Sequence, residues 1–338
     1  MKNLINKNES IFIAGGYGMV GKAIFKNLLS SGYGRKDLKG EILRPSRQDL
    51  DLTNYESLNQ WFKKNKPTVV IISAAKVGGI LANKRYPFEF ILENLKIQTN
   101  LIELSIIHKV KRLLFLGSSC IYPKFANQPI KEEDLLTNTL EETNQFYAIA
   151  KISGIKLCEA MRNQYNFDAI CLMPTNLYGP NDNYHPINSH VIPSLIRKFQ
   201  EAKDKNLNSV ICWGTGKALR EFLHVDDLAE ACVFALEKWD PNNNLEDYSQ
   251  QKNQLCWLNV GSKDEISIKE LAKLVSKTIG YNGEIIWDKS KPDGTPRKRL
   301  ETSRLSKMGW EPKIDLIKGI KDTIENYKKE RIEKNNRL

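Results

Sequence analysis

Short apolar runs alternate with amphipathic stretches through the first half of the chain. That is the pattern of a parallel sheet buried on both faces, its strands joined by crossover helices. SIFIA at 10–14 reads as the first strand and 19–30 as its crossover helix. EILR at 41–44 is a short second strand, and the β-branched PTVVII at 67–72 a buried third. Residues 88–108 carry apolar positions at helical spacing and predict a long helix, and RLLFLG at 112–117 predicts a fourth strand running into a Ser-Ser-Cys turn. A second long helix is expected over 145–165 and a further strand over 168–174.

After Pro174 the pattern loosens. Residues 174–190 are rich in Asn, Pro and Gly and read as a loop rather than an element. A helix is expected over 189–203, a short strand at 209–213, and over 222–239 a helix returning to the first unit. Residues 240–254 form a polar, Asn-rich insertion; a small α/β unit, the turn-rich KPDGTPRK (291–298) and a basic terminal helix follow. No internal repeat is visible. The expected class is α/β: a Rossmann-type doubly wound parallel sheet with a smaller α/β domain. The larger unit takes 1–180 and is joined again by about 221–260, and the smaller takes 181–220 and 261–338.

Composition adds limits. At 338 residues the chain can bury a large core, and one large domain with a smaller partner is the default. No apolar stretch approaches a bilayer-spanning length, and the polar opening MKNLINKNES runs directly into a strand, so no signal peptide and a cytoplasmic protein are expected. The six cysteines, at 120, 158, 171, 212, 232 and 256, have no C-x-x-C pairing or His-rich spacing, so neither a disulfide framework nor a metal site is expected. The net charge of +11 suits an anionic ligand, but solvated lysines and the basic tail account for it equally well. With no nucleic-acid motif and no aromatic-interleaved basic stripe, neither nucleic acid nor membrane is an expected partner.

Gly15, Gly18 and Gly21 lie in G-G-Y-G-M-V-G, directly after a strand and opening a helix. Glycine there permits a tight turn and close approach of the backbone to a pyrophosphate, and the helix N-terminus favours its negative charge. The strand-to-helix context puts dinucleotide binding ahead of an ordinary turn. The second strand ends in Arg44-Pro45-Ser46-Arg47, with the first acid only at Asp49. An acid at the strand end would hold a free ribose 2′-hydroxyl, whereas arginine accommodates a 2′-phosphate, so Arg44 and Arg47 favour NADP(H) unless both simply face solvent. Asp51 is placed nearer the adenine.

Tyr147 and Lys151 stand one turn apart on the same helix face. A nearby cation lowers a phenol's pKa and lets it exchange protons near neutrality. The spacing alone is cheap, and it recurs as Tyr248 and Lys252 in the polar insertion. Position distinguishes the first copy: it opens a long helix and has Ser118-Ser119 upstream at the carboxyl end of a strand, where ligands collect in open α/β sheets. A Ser118 hydroxyl there can hydrogen-bond the carbonyl oxygen that Tyr147 protonates, and Lys151 can reach the nicotinamide ribose. Residue by residue, Cys120 reads as a buried inert thiol and His190 as a loop histidine bonded to backbone.

Eight stretches spread over nearly the whole chain alter that last reading: FIAG-x-x-GMVG (12–21), AAKVGGI-x-AN (74–83), LLFLGSSCIYPK (113–124), YAIAKI-x-GIKLCE (147–159), MPTNLYGP (173–180), NSHVIP (188–193), REFLHVDD (220–227) and KPDGTPRK (291–298). Through them the sequence resembles the GDP-L-fucose synthases of the extended short-chain dehydrogenase/reductase family. The resemblance implies a homodimeric, NADPH-dependent 3,5-epimerase and 4-reductase that converts GDP-4-keto-6-deoxy-D-mannose to GDP-L-fucose. It implies Tyr147 as proton donor to the C4 oxygen, with Ser118 assisting and Lys151 holding cofactor and tuning the phenol. It also implies Cys120 as the epimerisation base and His190 as the matching acid. The implied cofactor contacts are Gly15, Gly16, Tyr17, Gly18, Met19, Val20 and Gly21, then Arg44, Arg47 and Asp51, then Leu116, Gly117, Ser118 and Ser119, with Tyr147, Lys151, Pro174, Thr175, Asn176, Leu177 and His190. Lys198, Trp213, Arg220 and Asp293 resemble positions that hold the GDP-sugar. One departure stands out: many relatives carry Arg where this chain has Tyr17, so NADP preference rests more heavily on Arg44 and Arg47.

Two other readings compete. A nucleotide-sugar 4-epimerase or 4,6-dehydratase would keep a bound NAD, but the dehydratases carry an acidic pair where this chain has Ser-Ser-Cys. A non-catalytic dinucleotide-binding regulator would tend to lose the Tyr or the Lys, and both are present.

Overall fold

The computed structural model describes residues 3–186, 188–242 and 255–335. In chain order the elements begin β1 (Ser10–Ala14), α1 (Met19–Ser30), β2 (Glu41–Leu43), α2 (Tyr55–Asn65), β3 (Val69–Ile72), α3 (Ile80–Arg85), α4 (Pro87–Ile107), β4 (Arg112–Leu116), α5 (Gln145–Tyr165) and β5 (Ala169–Pro174). They continue β6 (Asn176–Tyr178), α6 (Val191–Asp204), β7 (Ser209–Trp213), β8 (Leu219–His224), α7 (Val225–Lys238) and β9 (Trp257–Val260). The chain ends β10 (Glu265–Ser267), α8 (Ile268–Ile279), β11 (Glu284–Asp288), β12 (Arg297–Lys298), α9 (Ser303–Lys307) and α10 (Leu316–Asn335).

The large sheet has the order β2-β1-β3-β4-β5-β9, and every pairing in it is parallel. Alternate residues of each strand point to opposite faces, so a continuous apolar run supplies two cores. On one face Ile11, Ile13, Val69, Ile71, Leu114 and Ile170 pack against Ile24 and Leu28 of α1 and Leu228 and Leu236 of α7. On the other, Phe12, Val70, Leu113, Phe115 and Cys171 pack against Phe62 of α2, Leu101 of α4 and Ile155 of α5. The fold is thus the doubly wound α/β class expected. The neighbours of β1 are β2 on one side and β3 on the other. The chain reverses its direction of travel across the sheet there, and the loops after β1 and β3 diverge at the carboxyl edge to leave a crevice.

A third core lies between α6, α8 and α10, with Ile196, Phe199, Leu271, Val275, Ile320 and Ile324 at its centre. It backs a sheet in which β8 pairs with β10, β12 and β6, and a parallel pair of β7 and β11. Near the C-terminus, Leu305 and Trp310 pack into the large sheet's core, although they fall in the 261–338 range expected to belong to the smaller unit. Of the insertion expected at 240–254, everything beyond residue 242 lies outside the described residues, as do Tyr248 and Lys252. Among the described residues no helix is long and apolar enough to cross a membrane.

Three local expectations need correction. The span 174–190 is not wholly a loop: Asn176–Tyr178 forms β6, whose partner β8 lies more than 40 residues on. The helix expected over 222–239 starts only at Val225, because Leu219–His224 is held extended by three neighbouring strands. His224 Nδ1 then accepts from the Asp226 N–H at 3.2 Å and caps the new helix. Finally, α2 has no counterpart among the expected elements, although Tyr55, Leu58, Trp61 and Phe62 stand at helical spacing and face the core behind an Asn54 cap.

Glu221 ties the two sheets together. Its side chain is fully buried, and its carboxylate accepts from the Lys263 N–H at 2.8 Å and the Leu300 N–H at 3.0 Å. Its own carbonyl accepts from the Asn176 side-chain amide at 2.7 Å and the Thr175 hydroxyl at 3.2 Å. Replacing Glu221 with Ala leaves the buried Leu300 N–H and the Lys263 N–H without their acceptor, and should lower the unfolding free energy by about 2 kcal/mol in urea titrations.

Candidate active site

The carboxyl edge of the large sheet opens into a cavity of about 670 Å³ that runs from the turn after β1 to the β7–β11 pair. At one end is the turn between β1 and α1. Gly15 has φ +86°, and a Cβ on it would meet the Ala74 N at 2.7 Å; a Cβ on Gly21 would meet the Gly15 carbonyl at 2.1 Å. Both positions require glycine for that reason. The N-terminus of α1 has no side-chain cap and no acid in its first turn, so its N–H groups suit an anion such as pyrophosphate. The residues present therefore fit a dinucleotide.

Of the expected cofactor contacts, Gly15, Gly18, Met19, Val20, Gly21, Gly117, Ser118, Ser119, Tyr147, Pro174, Thr175, Asn176, Leu177 and His190 all line this cavity. The others lie behind it or on its rim. Gly16 packs against the Arg44 stem, Tyr17 is half exposed, Arg47 and Asp51 face solvent, and the carbonyl of Leu116 is bonded to Lys151. Asp51 accepts from the N–H and hydroxyl of Thr53, which hold its carboxyl below the usual range.

Ser118 leaves the end of β4, and its hydroxyl oxygen accepts from the Cys120 N–H at 3.3 Å, opening a short 3₁₀ turn that presents Cys120. Tyr147 and Lys151 face this turn from α5. Lys151 is buried and donates to the Leu116 carbonyl at 2.8 Å, with its Nζ 4.7 Å from the Phe115 ring centroid and 6.0 Å from that of Tyr147. Burial pulls its pKa down to about 7. Burial first and Cys120 second push the Tyr147 phenol up, against the pull of a hydrogen bond from Ser118. The expectation that the neighbouring ammonium lowers this phenol is therefore not met in the structure. Desolvation dominates the phenol, and the ammonium is turned onto a backbone carbonyl.

Cys120 is half-buried, whereas the other five cysteines are fully buried. The Lys298 ammonium stands 3.8 Å from the Cys120 Sγ. His190, at the N-cap of α6, is open to the cavity but walled in by it; that enclosure first, and Lys298 second, lower its pKa. Lys298 thus faces both residues, and nothing in KPDGTPRK marks it out, because a lone lysine carries no pattern. Glu141, Asn144 and Thr295 also line this part of the cavity and were likewise unread.

Lys198, Trp213, Arg220 and Asp293 meet at the far end of the cavity, beside Trp287. Lys198 Nζ donates to the Ile211 carbonyl at 2.9 Å and sits 4.9 Å from the Trp213 ring centroid. Arg220 donates to the carbonyls of Leu219 at 2.8 Å and Asp293 at 3.1 Å. Burial lowers the pKa of both cations, as expected for charges awaiting an anionic partner. The Asp293 carboxylate is engaged by the Thr215 N–H and hydroxyl, both at 2.7 Å, which fixes the glycine turn that carries Trp213 toward the cavity. No three His, Cys, Asp or Glu side chains gather as a metal site among the described residues.

Comparison with known proteins places these features in context. The NAD dependent epimerase/dehydratase family matches residues 11–249. GDP-L-fucose synthase 1 of Arabidopsis thaliana is 51% identical, over 97% of this chain and 96% of its own length. GDP-L-fucose synthase of Escherichia coli (strain K12) is 46% identical, over 94% of this chain and 96% of its own. Among solved structures, the GDP-mannoheptose C4 reductase of Campylobacter jejuni with NADP bound superposes with a TM-score of 0.83 at 35% identity, covering 96% of this chain and 99% of that one.

The Lys151 environment makes a pH test. Its pKa in the fold is about 7 against 10.5 for a free amine, so between those values the unfolded chain binds more protons. Stability should therefore rise with pH through that window. Measured by urea unfolding against Lys151→Met, which lacks the group, the wild type should gain roughly 1 kcal/mol per pH unit above pH 7.

Proposed function

The chain belongs to the NAD dependent epimerase/dehydratase family, and from that premise we propose that it is an NADPH-dependent 3,5-epimerase and 4-reductase converting GDP-4-keto-6-deoxy-D-mannose to GDP-L-fucose. What carries the reading is a single cavity that runs from an anion-ready helix N-terminus, past Ser118, Cys120, Tyr147 and His190, to two half-buried cations beside a tryptophan. Relatives at 46–51% identity that bear the GDP-L-fucose synthase name support the choice of sugar nucleotide. The NADP in the Campylobacter jejuni structure, together with Arg44 and Arg47 at the end of β2, supports the choice of cofactor.

In this reading the α1 N-terminus and Gly15–Gly21 hold the pyrophosphate of the dinucleotide, whose chemical contribution is the hydride that C4 accepts. Arg220 and Lys198 take the diphosphate of the substrate, arginine by its planar fork, and Trp213 offers a flat apolar face to the base. The hydrogens on C3 and C5 flank the C4 ketone and are acidified by it. The Cys120 sulfur removes one as a proton, and the electron pair moves to the C4 oxygen, where the Ser118 and Tyr147 hydroxyls donate to the enolate. The Lys298 ammonium stands 3.8 Å from that sulfur. His190 returns a proton to the opposite face of the carbon, inverting it; once the thiol has lost its proton to water and the imidazole has regained one, the sequence repeats at the second carbon. As C4 is reduced, Tyr147 gives its proton to the C4 oxygen.

The protein is read as a cytoplasmic homodimer. Support for the dimer comes from α4 and α5, which pack side by side and leave Phe88, Phe146, Ile149 and Leu157 exposed. These side chains form a surface on which a second copy can complete a four-helix bundle.

Incubation with NADPH and GDP-4-keto-6-deoxy-D-mannose should oxidise one NADPH for each GDP-L-fucose formed, followed by absorbance and by sugar analysis of the product. Intact folded protein that leaves NADPH unconsumed would overturn the assignment. The two halves of the reaction should also separate by mutation. In deuterated water, Cys120→Ser should slow label uptake at C3 and C5 by about 10²-fold or more, whereas Tyr147→Phe should chiefly depress reduction. Exchange unchanged in Cys120→Ser removes that residue from the role of base.

A further inference from the structure

The acids nearest the end of β2 are occupied by their own turns. The Asp49 carboxylate accepts from the Ser46 N–H at 3.0 Å and the Ser46 hydroxyl at 2.6 Å, and the Asp51 carboxylate from the Thr53 N–H at 2.9 Å and hydroxyl at 2.8 Å. Between them in chain order and the glycine turn sits Arg44, which makes no ion pair among the described residues. It meets rings instead. Its guanidinium carbon is 3.7 Å from the Phe25 ring centroid and 4.9 Å from that of Tyr17. Its stem lies on the same turn: a Cβ on Gly16 would stand 2.6 Å from the Arg44 Cβ. Tyr17 is 53% exposed, so burial of the ring does not account for it.

Stacking on a ring engages the π face of a guanidinium and leaves its N–H edge available, and that edge is what binds a phosphate in bidentate fashion. An arginine free in solvent gives up rotamer freedom when it captures an anion, whereas one already held by rings has given it up beforehand. Unlike a carboxylate partner, the rings also leave the positive charge unneutralised. The turn that carries Tyr17 is itself the one that meets the pyrophosphate, so the ring places Arg44 on the rim of the dinucleotide site.

We propose that Tyr17, together with Phe25, is a positioning residue for cofactor choice: it holds the Arg44 guanidinium ready for a ribose 2′-phosphate, and so sets the preference for NADPH over NADH. The inference rests on the reading of NADP(H) as the cofactor and goes beyond it, since it assigns the selectivity to the contact between these rings and the Arg44 guanidinium.

The test is equilibrium binding of NADPH and of NADH, each titrated separately into the intact protein without sugar substrate and followed by ligand fluorescence. Tyr17→Ala should weaken NADPH by about 3- to 10-fold and NADH by less than about twofold, the range expected for losing a partly exposed cation–ring contact. Tyr17→Phe, which keeps the ring, should bind as the wild type does. Arg44→Ala should erase the preference, and the double variant Tyr17→Ala/Arg44→Ala should be no weaker for NADPH than Arg44→Ala alone. Equal losses for both dinucleotides in Tyr17→Ala would overturn the proposal, because the ring would then only pack against the adenine. So would a Tyr17→Phe variant as weak as Tyr17→Ala, since the hydroxyl would be the active part, or an Arg44→Ala variant that keeps wild-type NADPH binding. A wild-type protein that binds the two dinucleotides equally strikes instead at the NADP reading beneath it.

Discussion

Lys151 reaches 2.8 Å to the carbonyl of Leu116, and the geometry of the cavity depends on that contact. Leu116 is the last residue of β4, two before Ser118, and Lys151 lies one helical turn after Tyr147. Joining the end of a buried strand to the flank of α5 therefore fixes how far the serine hydroxyl lies from the phenol. The contact also satisfies a carbonyl that the sheet leaves at its edge, where water is excluded and an unpaired acceptor is costly. An ammonium in so dry a place is expensive as well, which is why its pKa is drawn to about 7. The site keeps a costly group because no apolar side chain could make the bond.

The second constraint is that the cavity has walls from two different sheets. The large sheet contributes the glycine turn and the β4 edge, and the smaller unit contributes α6, β7, β8 and β12. Glu221 joins them, for its carboxylate and carbonyl together gather the Thr175–Asn176 turn, Lys263 and Leu300. This single buried residue aligns Arg220 beside it with the loop after β5. Lys298 arrives by the same arrangement, through the pairing of β12 with β8 next to Leu300.

Where an element is stabilised by its own periodicity, the sequence discloses it. The strand at 10–14, the helices at 19–30 and 145–165 and the strand at 209–213 appear within the expected bounds, because each carries its period alone. The pairing of β6 with β8 was not legible, since the hydrogen-bond partners of Asn176–Tyr178 are distant in sequence. At the site, motif residues with a fixed neighbourhood were identifiable: Ser118, Tyr147 and Lys151 come together as their spacing suggests. The direction of the Tyr147 shift was not, because proximity in sequence to a cation says nothing of how dry the phenol is. Lys298 escaped for a related reason: its importance lies entirely in the 3.8 Å that separate it from a sulfur 178 residues away.

The distribution of thiols has a chemical consequence. Five of the six cysteines are buried, and although Cys212 borders the same cavity it is only 2% exposed, so Cys120 is the one half-buried thiol. An electrophile or a peroxide diffusing up to the folded protein meets in effect a one-thiol molecule. A sulfenic acid formed there has no second accessible cysteine to resolve it as a disulfide, so it is capped by an external thiol or goes on to the sulfinic acid. Such damage falls on the group read as the carbon base and spares the Tyr147–Lys151 pair. Oxidative ageing of the enzyme would thus be qualitative before it is quantitative, leaving a protein that still reduces ketones but has lost the ability to invert the carbons beside them.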